Sequence, residues 1–311
     1  MKKLLLASTA LIAGASAAAA DITFGGYGRF GLDYTENRFT DVNSNGVEDA
    51  GESRNDVEVD QRLRLIITGT AESQNGIAFT AQTRIQWDEG TGFDGDAVTS
   101  ARSAIQQAAF HAAAGGLTLS IGNVSVAEAT PGFYAGGLGY TGFMFVDPYY
   151  SQGYGRTDIG LTGLGSVGVI MATYATGPFT VRAGLSESAT EERKQLSVAY
   201  SDNGYTVSVF HQESTVAAND VTKLYVQGTI GGATVGLFAD DSTAGNSIGL
   251  TGTMSVGAGT SVTLTAVDLS TGGSNVGIGV NHDLGGGVSF GAGVADMNGT
   301  TRAEAGVQFN F

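Results

Sequence analysis

Short amphipathic segments recur along this chain from residue 22 to its last residue. The final one runs from Thr301 to Phe311. Ala303, Ala305, Val307, Phe309 and Phe311 share one parity, and Arg302, Glu304, Gln308 and Asn310 share the other. Successive side chains of a strand point to opposite faces, so this is a strand with one apolar and one wet face. In residues 22–35, Ile22, Phe24, Phe30, Leu32 and Tyr34 oppose Thr23, Tyr27, Arg29 and Asp33. In residues 77–88, Ile77, Phe79, Ala81, Ile85 and Trp87 oppose Thr80, Gln82, Arg84, Gln86 and Asp88.

The pattern gives sixteen strands, near 22–35, 57–71, 77–88, 103–114, 117–124, 160–176, 179–187, 194–202, 205–213, 222–230, 233–240, 246–256, 260–269, 274–284, 288–297 and 301–311. Their connectors alternate in kind. Even strands end in tight Gly-containing turns such as Gly115-Gly116, Asn203-Gly204 and Gly231-Gly232, the mark of short hairpins. Odd strands are followed by looser, more polar connectors. Short turns on one side and long loops on the other suit a transmembrane barrel, and a soluble sandwich has no reason to segregate them. Gly is 49 of 311 residues and Pro only 3, which favours sheets with tight turns over a disordered linker.

A leader is expected ahead of the strands. Lys2 and Lys3 precede an apolar stretch from Leu4 to Ala13 and the small-residue ending Ala18-Ala19-Ala20. Residues 1–20 therefore read as a secretory signal peptide cleaved after Ala20, and 21–311 as the barrel domain. The competing reading is an N-terminal membrane anchor, for which the apolar stretch is short. Removal of 20 residues from 311 leaves 291, with 13 basic and 30 acidic side chains, so 13 − 30 gives −17. That balance argues against nucleic-acid binding, which needs a basic footprint. Without cysteine there is neither a disulfide framework nor a thiolate metal site. No apolar run beyond the leader reaches the ~18 residues of a spanning helix, so membrane crossing requires a closed barrel.

Ten residues at about 3.3 Å each reach roughly 33 Å, or roughly 23 Å when tilted by about 45°, enough for an outer-membrane apolar band. Sixteen strands enclose a channel too wide for side chains to fill. Aromatic residues bracket the periplasmic turns: Tyr174 and Phe179 about Gly177-Pro178, Tyr200 and Tyr205 about Asn203-Gly204. In a barrel they form an interfacial girdle. The longest connector, about residues 125–159, carries Phe133, Tyr134, Tyr149, Tyr150 and Tyr154 beside Glu128, Asp147 and Asp158. It is too aromatic to hang in water, and folding into the lumen would bury its rings and narrow the pore.

The leader, the strand count, the long third external loop and the terminal Phe311 resemble a general-diffusion porin of the Gram-negative outer membrane. The Gly-rich, acidic character resembles the alphaproteobacterial, Rhodobacter-like type. The resemblance covers the whole chain after the leader, as architecture and not as a signature peptide. It implies an all-β, 16-stranded antiparallel transmembrane barrel whose third external loop folds into the lumen. It also implies a homotrimer set in outer-membrane lipid and lipopolysaccharide, with acidic loop residues facing basic wall residues across a constriction. The matching positions are Arg29, Arg62, Arg64 and Arg84 on the wall, with Glu128, Asp147 and Asp158 on the loop. The blander reading makes the arginines ordinary solvated lumen charges. The implied function is passive diffusion of small hydrophilic solutes and ions. A surface receptor, adhesin or structural protein is the alternative, with a substrate-selective channel between the two.

The first long loop matches the D-x-[DN]-x-[DN]-G-x5-E calcium pattern. Its oxygen ligands would be Asp41, Asn43, Asn45, the Val47 carbonyl, Asp49 and Glu52, with Gly46 at the sharp turn. Strands and not helices flank it, and Glu48 stands where an apolar residue is usual, so the competing reading is a chance match in an acidic surface loop. No other cofactor is implied. Catalysis has no motif behind it: His111, His211 and His282 show no zinc spacing, no G-x-S-x-G elbow exists, and Gly285-Gly286-Gly287 lacks the Lys and helix of a phosphate cradle.

Overall fold

Alternation, once built into strands, closes on itself. The computed structural model describes residues 20–39, 48–88, 104–105, 108–124, 168–187, 191–216, 219–243, 245–269 and 273–311. They form β1 (Asp21–Thr35), β2 (Val57–Glu72), β3 (Ala78–Asp88), β4 (Ala104–Ile105), β5 (Ala109–Ala114), β6 (Leu117–Gly122), β7 (Gly168–Thr176), β8 (Phe179–Glu187) and β9 (Glu192–Asp202). Then follow β10 (Tyr205–Ser214), β11 (Val221–Ile230), β12 (Ala233–Ser242), β13 (Gly245–Gly257), β14 (Thr260–Asp268), β15 (Ser274–Gly285), β16 (Val288–Met297) and β17 (Thr300–Asn310). The barrel is an antiparallel meander closed by β1 against β17, in register from Tyr27↔Asn310 to Thr35↔Arg302. Beyond that ladder, the Gly26 N–H donates to the Phe311 carbonyl at 3.0 Å and the Phe311 N–H returns a bond to Gly26 at 3.1 Å. No sheet edge is left open at the seam, which is what a bilayer demands of strands.

Seventeen segments fill sixteen barrel positions. The expected strand 103–114 is divided into β4 and β5, both paired with β3. Gln82 stands opposite Ala109 but Ile85 opposite Ile105, so three steps on β3 match four on its neighbour. That offset of one residue between the two pairings flips parity, so one uninterrupted alternation cannot describe the segment. A second departure concerns the turns. The external β16–β17 connection is the two-residue turn Asn298-Gly299, with φ of 56° and 87°. Both left-handed residues suit a type I′ hairpin, so β16, the fifteenth of the sixteen barrel positions, is followed by a turn as tight as the periplasmic ones.

The faces separate as the parity dictates. Phe24, Phe30, Leu32, Leu63, Phe110, Ile121, Leu185, Leu224 and Leu250 point outward and are exposed. On moving from water into lipid, each such side chain contributes about 1.5–3 kcal/mol, so this belt belongs in a membrane. Tyr174, Phe179, Tyr200 and Tyr205 also face out near the periplasmic turns, and Phe179 meets Tyr200 edge-on at 5.0 Å. The lumen-facing side chains are the buried ones. They include Arg29, Asp33, Glu58, Gln86, Gln195, Gln212, Lys223, Asp240 and Glu304, with an apolar cluster of Met171, Phe210, Tyr225, Phe238 and Val267. Some in-strand glycines make room for rings on the next strand. Phe309 lies across Gly28 and Phe238 across Gly249, each in register, where any Cβ would collide with the ring.

Candidate functional site

The wall of β1, β2 and β3 carries charge in ordered rungs. Odd residues of β1 and even residues of β2, β3 and β17 face the lumen, as their registers require. From the periplasmic side, the first rung sets Gly25, Ile66 and Arg84 side by side. The next is Tyr27, Arg64 and Gln86; above it Arg29 stands between Arg62 and Gln308. Then come Gly31 with Asp60, and Asp33 between Glu58 and Glu304. Four arginines thus form one patch, with four carboxylates (Asp33, Glu58, Asp60 and Glu304) on the external side of it.

Local contacts hold the arginine patch. The Arg64 guanidinium lies 5.0 Å from the Tyr27 ring centroid, and its Nε donates to Gln86 Oε1 at 2.6 Å. Arg29 approaches the same ring from 5.9 Å, and Arg62 Nη1 reaches the Tyr27 hydroxyl at 3.5 Å. The ring face attracts both cations and keeps their long side chains along the wall. Arg29 is only 4% exposed, while Arg62, Arg64 and Arg84 are half-buried. The expected arginines therefore gather where parity placed them. The expected loop partners Glu128, Asp147 and Asp158 lie outside the described residues. So do residues 1–19 and the long connector.

Sequence reasoning missed several members of this wall. Tyr27 was placed on the wet face without its role as a platform for arginine. Arg38, from the first external connector, folds back over the acidic rung: it donates to Asp33 Oδ2 at 2.7 Å and Thr35 Oγ1 at 3.2 Å, and pairs with Glu58. Arg302 stands opposite Thr35 across the seam. The shared parity of Arg302, Glu304 and Gln308 was the available signal; the β1–β17 closure that brings them to Asp33 was not.

Of the expected calcium ligands, Asp41, Asn43, Asn45 and Val47 lie outside the described residues. Asp49 and Glu52 form a turn: the Asp49 N–H donates to Glu52 Oε2 at 2.8 Å, and the Glu52 N–H to the Asp49 carbonyl at 3.1 Å. Among the described residues, no cluster of three or more His, Asp or Glu side chains is placed to hold a metal.

Two external connectors are clamped together on the far side of the mouth. Glu191 Oε1 accepts from Arg193 Nε at 2.7 Å, Ser214 Oγ at 2.5 Å and Asn219 Nδ2 at 2.7 Å, and Oε2 accepts from Arg193 Nη2 at 2.7 Å. The bonds from Arg193 first, then those from Ser214 and Asn219, hold the Glu191 carboxyl down at about 2. The clamp therefore stays ionised at neutral and mildly acidic pH.

A barrel with this lumen has known relatives. The family model of the Gram-negative porin matches residues 7–302. A curated porin from Fuscovulum blasticum is 36% identical over 128 residues, 41% of this chain; the chain spans only 38% of that relative's length. A five-substitution mutant of Rh. blastica porin is 26% identical, with 94% of this chain and 100% of that chain covered at a TM-score of 0.75. A triple mutant of Rhodopseudomonas blastica porin gives the same identity and coverage at 0.74. With the model matching nearly the full length of a closed antiparallel barrel, the chain belongs to the Gram-negative porin family.

Proposed function

We propose that this protein is an outer-membrane channel through which small hydrophilic solutes and ions diffuse passively. The observation that carries the reading is the division of the barrel surface. Its outside is an apolar belt, while its inside presents Arg29, Arg62, Arg64, Arg84, Asp33, Glu58, Asp60 and Glu304. A lipid-exposed barrel of sixteen positions with a charged interior is a water-filled passage. The arginine patch acts as one wall of the constriction. Glu128, Asp147 and Asp158 of the long connector form the other, so that opposite charges face each other across the path and orient passing dipoles. No step of this function needs a nucleophile, a base or a redox group. Liposomes loaded with the protein should swell in neutral sugars at rates that fall with sugar size and ignore sugar stereochemistry. Equal, negligible swelling in every sugar would remove the channel reading in favour of a receptor, adhesin or structural role.

The family resemblance and the apolar belt support a homotrimer surrounded by lipid and lipopolysaccharide, exported with loss of residues 1–20. The Asp41–Glu52 loop serves as a weak structural calcium site, with Kd of order 10⁻⁴–10⁻³ M. Chelation should then expose that loop to protease, and replacement of Asp41 and Glu52 by Ala should make its cleavage rate independent of calcium. Identical cleavage of the unaltered protein with and without chelator would remove the metal from the account.

A further inference from the structure

A second recognition site lies above the acidic rung, apart from the arginine patch. The seam between β1 and β17 opens at its external end into a cavity of about 520 Å³, lined among others by Asp33, Thr35, Glu36, Asn37, Arg38 and Arg302. That volume lies within the ~300–1,000 Å³ typical of small-molecule sites. Its charges are unequally satisfied. Arg38 spends both terminal nitrogens, Nη1 on Glu58 and Nη2 on Asp33 and Thr35, while its Nε is buried without a partner. Among the described residues, Arg302 has no hydrogen-bond or ion-pair partner, and its Nε is buried without one. Asp33 spends Oδ2 on Arg38 and leaves Oδ1 buried and unpaired. Glu36 Oε2 accepts the Thr301 N–H at 3.1 Å. Hydrogen bonds from the Thr301 side chain and backbone hold Glu36 below the usual carboxylate range, so it is ionised wherever a porin works.

The cavity therefore offers an unspent guanidinium and unspent carboxylate oxygen across one step of the seam. Thr35 pairs with Arg302, and the next residue, Glu36, donates its N–H to the Thr301 carbonyl at 2.9 Å. A simple anion at Arg302 would meet the field of Asp33, Glu36 and Glu58. A simple cation at Glu36 would meet Arg302 and Arg38. Only a ligand with both charges a few atoms apart offsets both, because its carboxylate can take the guanidinium as a bidentate partner while its ammonium faces the acidic side. From this geometry we propose that the external mouth holds a subsite for small zwitterionic solutes of the α-amino-acid type, bound between Arg302 and the Glu36/Asp33 carboxylates. This rests on the channel reading above. It makes the mouth a place where such solutes are concentrated before they reach the arginine patch.

The test uses the purified full-length protein in liposomes, with L-alanine as the zwitterion and lactamide as its neutral match in size. If the subsite exists, alanine influx at low concentration exceeds lactamide influx and saturates as alanine is raised, while lactamide influx stays linear. A charge-assisted hydrogen bond to an ionised partner is worth about 1.5–3 kcal/mol, so Arg302→Gln should raise the half-saturating alanine concentration by roughly tenfold or more. Arg302→Lys, which keeps the charge but loses the planar fork, should fall between the two. Linear alanine influx equal to that of lactamide in the unaltered protein overturns the subsite and leaves the channel standing. An alanine-to-lactamide ratio unmoved by Arg302→Gln also overturns it. Failure of lactamide itself to enter would instead remove the channel reading.

Discussion

Replacing Arg62 and Arg64 together by Ala will raise the conductance of the channel and shift its selectivity toward cations. Both guanidinium groups face the lumen on adjacent rungs, held along the wall by Tyr27 and Gln86. A unit charge ~5 Å from a passing ion is worth about 0.8 kcal/mol in water, before salt screens it. Losing two such charges should move the cation-to-anion permeability ratio by roughly threefold to tenfold at low salt, and much less near 1 M, where the Debye length is about 3 Å. The unaltered channel is expected to prefer cations weakly, because residues 21–311 carry a net 13 − 30 = −17 while the arginines oppose that field inside. Reversal potentials in a salt gradient read both quantities. A variant more anion-selective than its parent would show that these arginines do not line the ion path.

Gly31→Ala should be among the most damaging single-methyl changes in the barrel. Gly31 sits in the closing ladder, opposite Gly306. A Cβ there would run into the Ala305 carbonyl oxygen and stand 2.9 Å from the Gly306 Cα. Both obstacles are backbone, so the clash cannot be relieved by a rotamer change and the β1–β17 strands must part. Overpacking of this kind costs about 1–3 kcal/mol in ordinary cores, and a seam has only one ladder to absorb it. A loss of about 3 kcal/mol would lower the temperature at which the barrel unfolds by roughly 6–12 °C. Gly252→Ala is the matched control, since an added Cβ there meets nothing within 4 Å; it should be neutral or slightly stabilising. Equal unfolding temperatures for the two variants would mean that the seam is not packed as described.

Much of this architecture was legible in the sequence because a barrel strand must alternate along its whole length. The segments 179–187 and 288–297 end as the pattern predicts, each set off by glycine-rich turns that force a reversal. The segment 103–114 failed for a physical reason. Ala112, Ala113 and Ala114 carry no face information, and the one-residue offset between the Ile105 and Ala109 pairings reverses parity within one apparent strand. The external turn at Asn298-Gly299 was written in the sequence but overridden by the expectation of a long loop.

The site divides along the same line. Arg29, Arg62, Arg64 and Arg84 are lumenal by parity alone. Their rungs, and the carboxylates above them, depend on register, which alternation does not specify for distant strands. The Arg302 cavity was out of reach, because it joins the first strand to the last. Arg38 was missed because it acts from a connector, where no periodicity applies.

The most direct test of a passive, water-filled passage is the current through single insertions of the purified protein in a planar bilayer. The account predicts ohmic steps whose conductance rises in proportion to bulk salt above ~0.5 M, where screening removes the mouth field, and which close in groups of three if the native unit is a trimer. Insertions that carry no current, or a conductance that saturates at low salt as a tight ion site would make it do, would contradict a passive open channel.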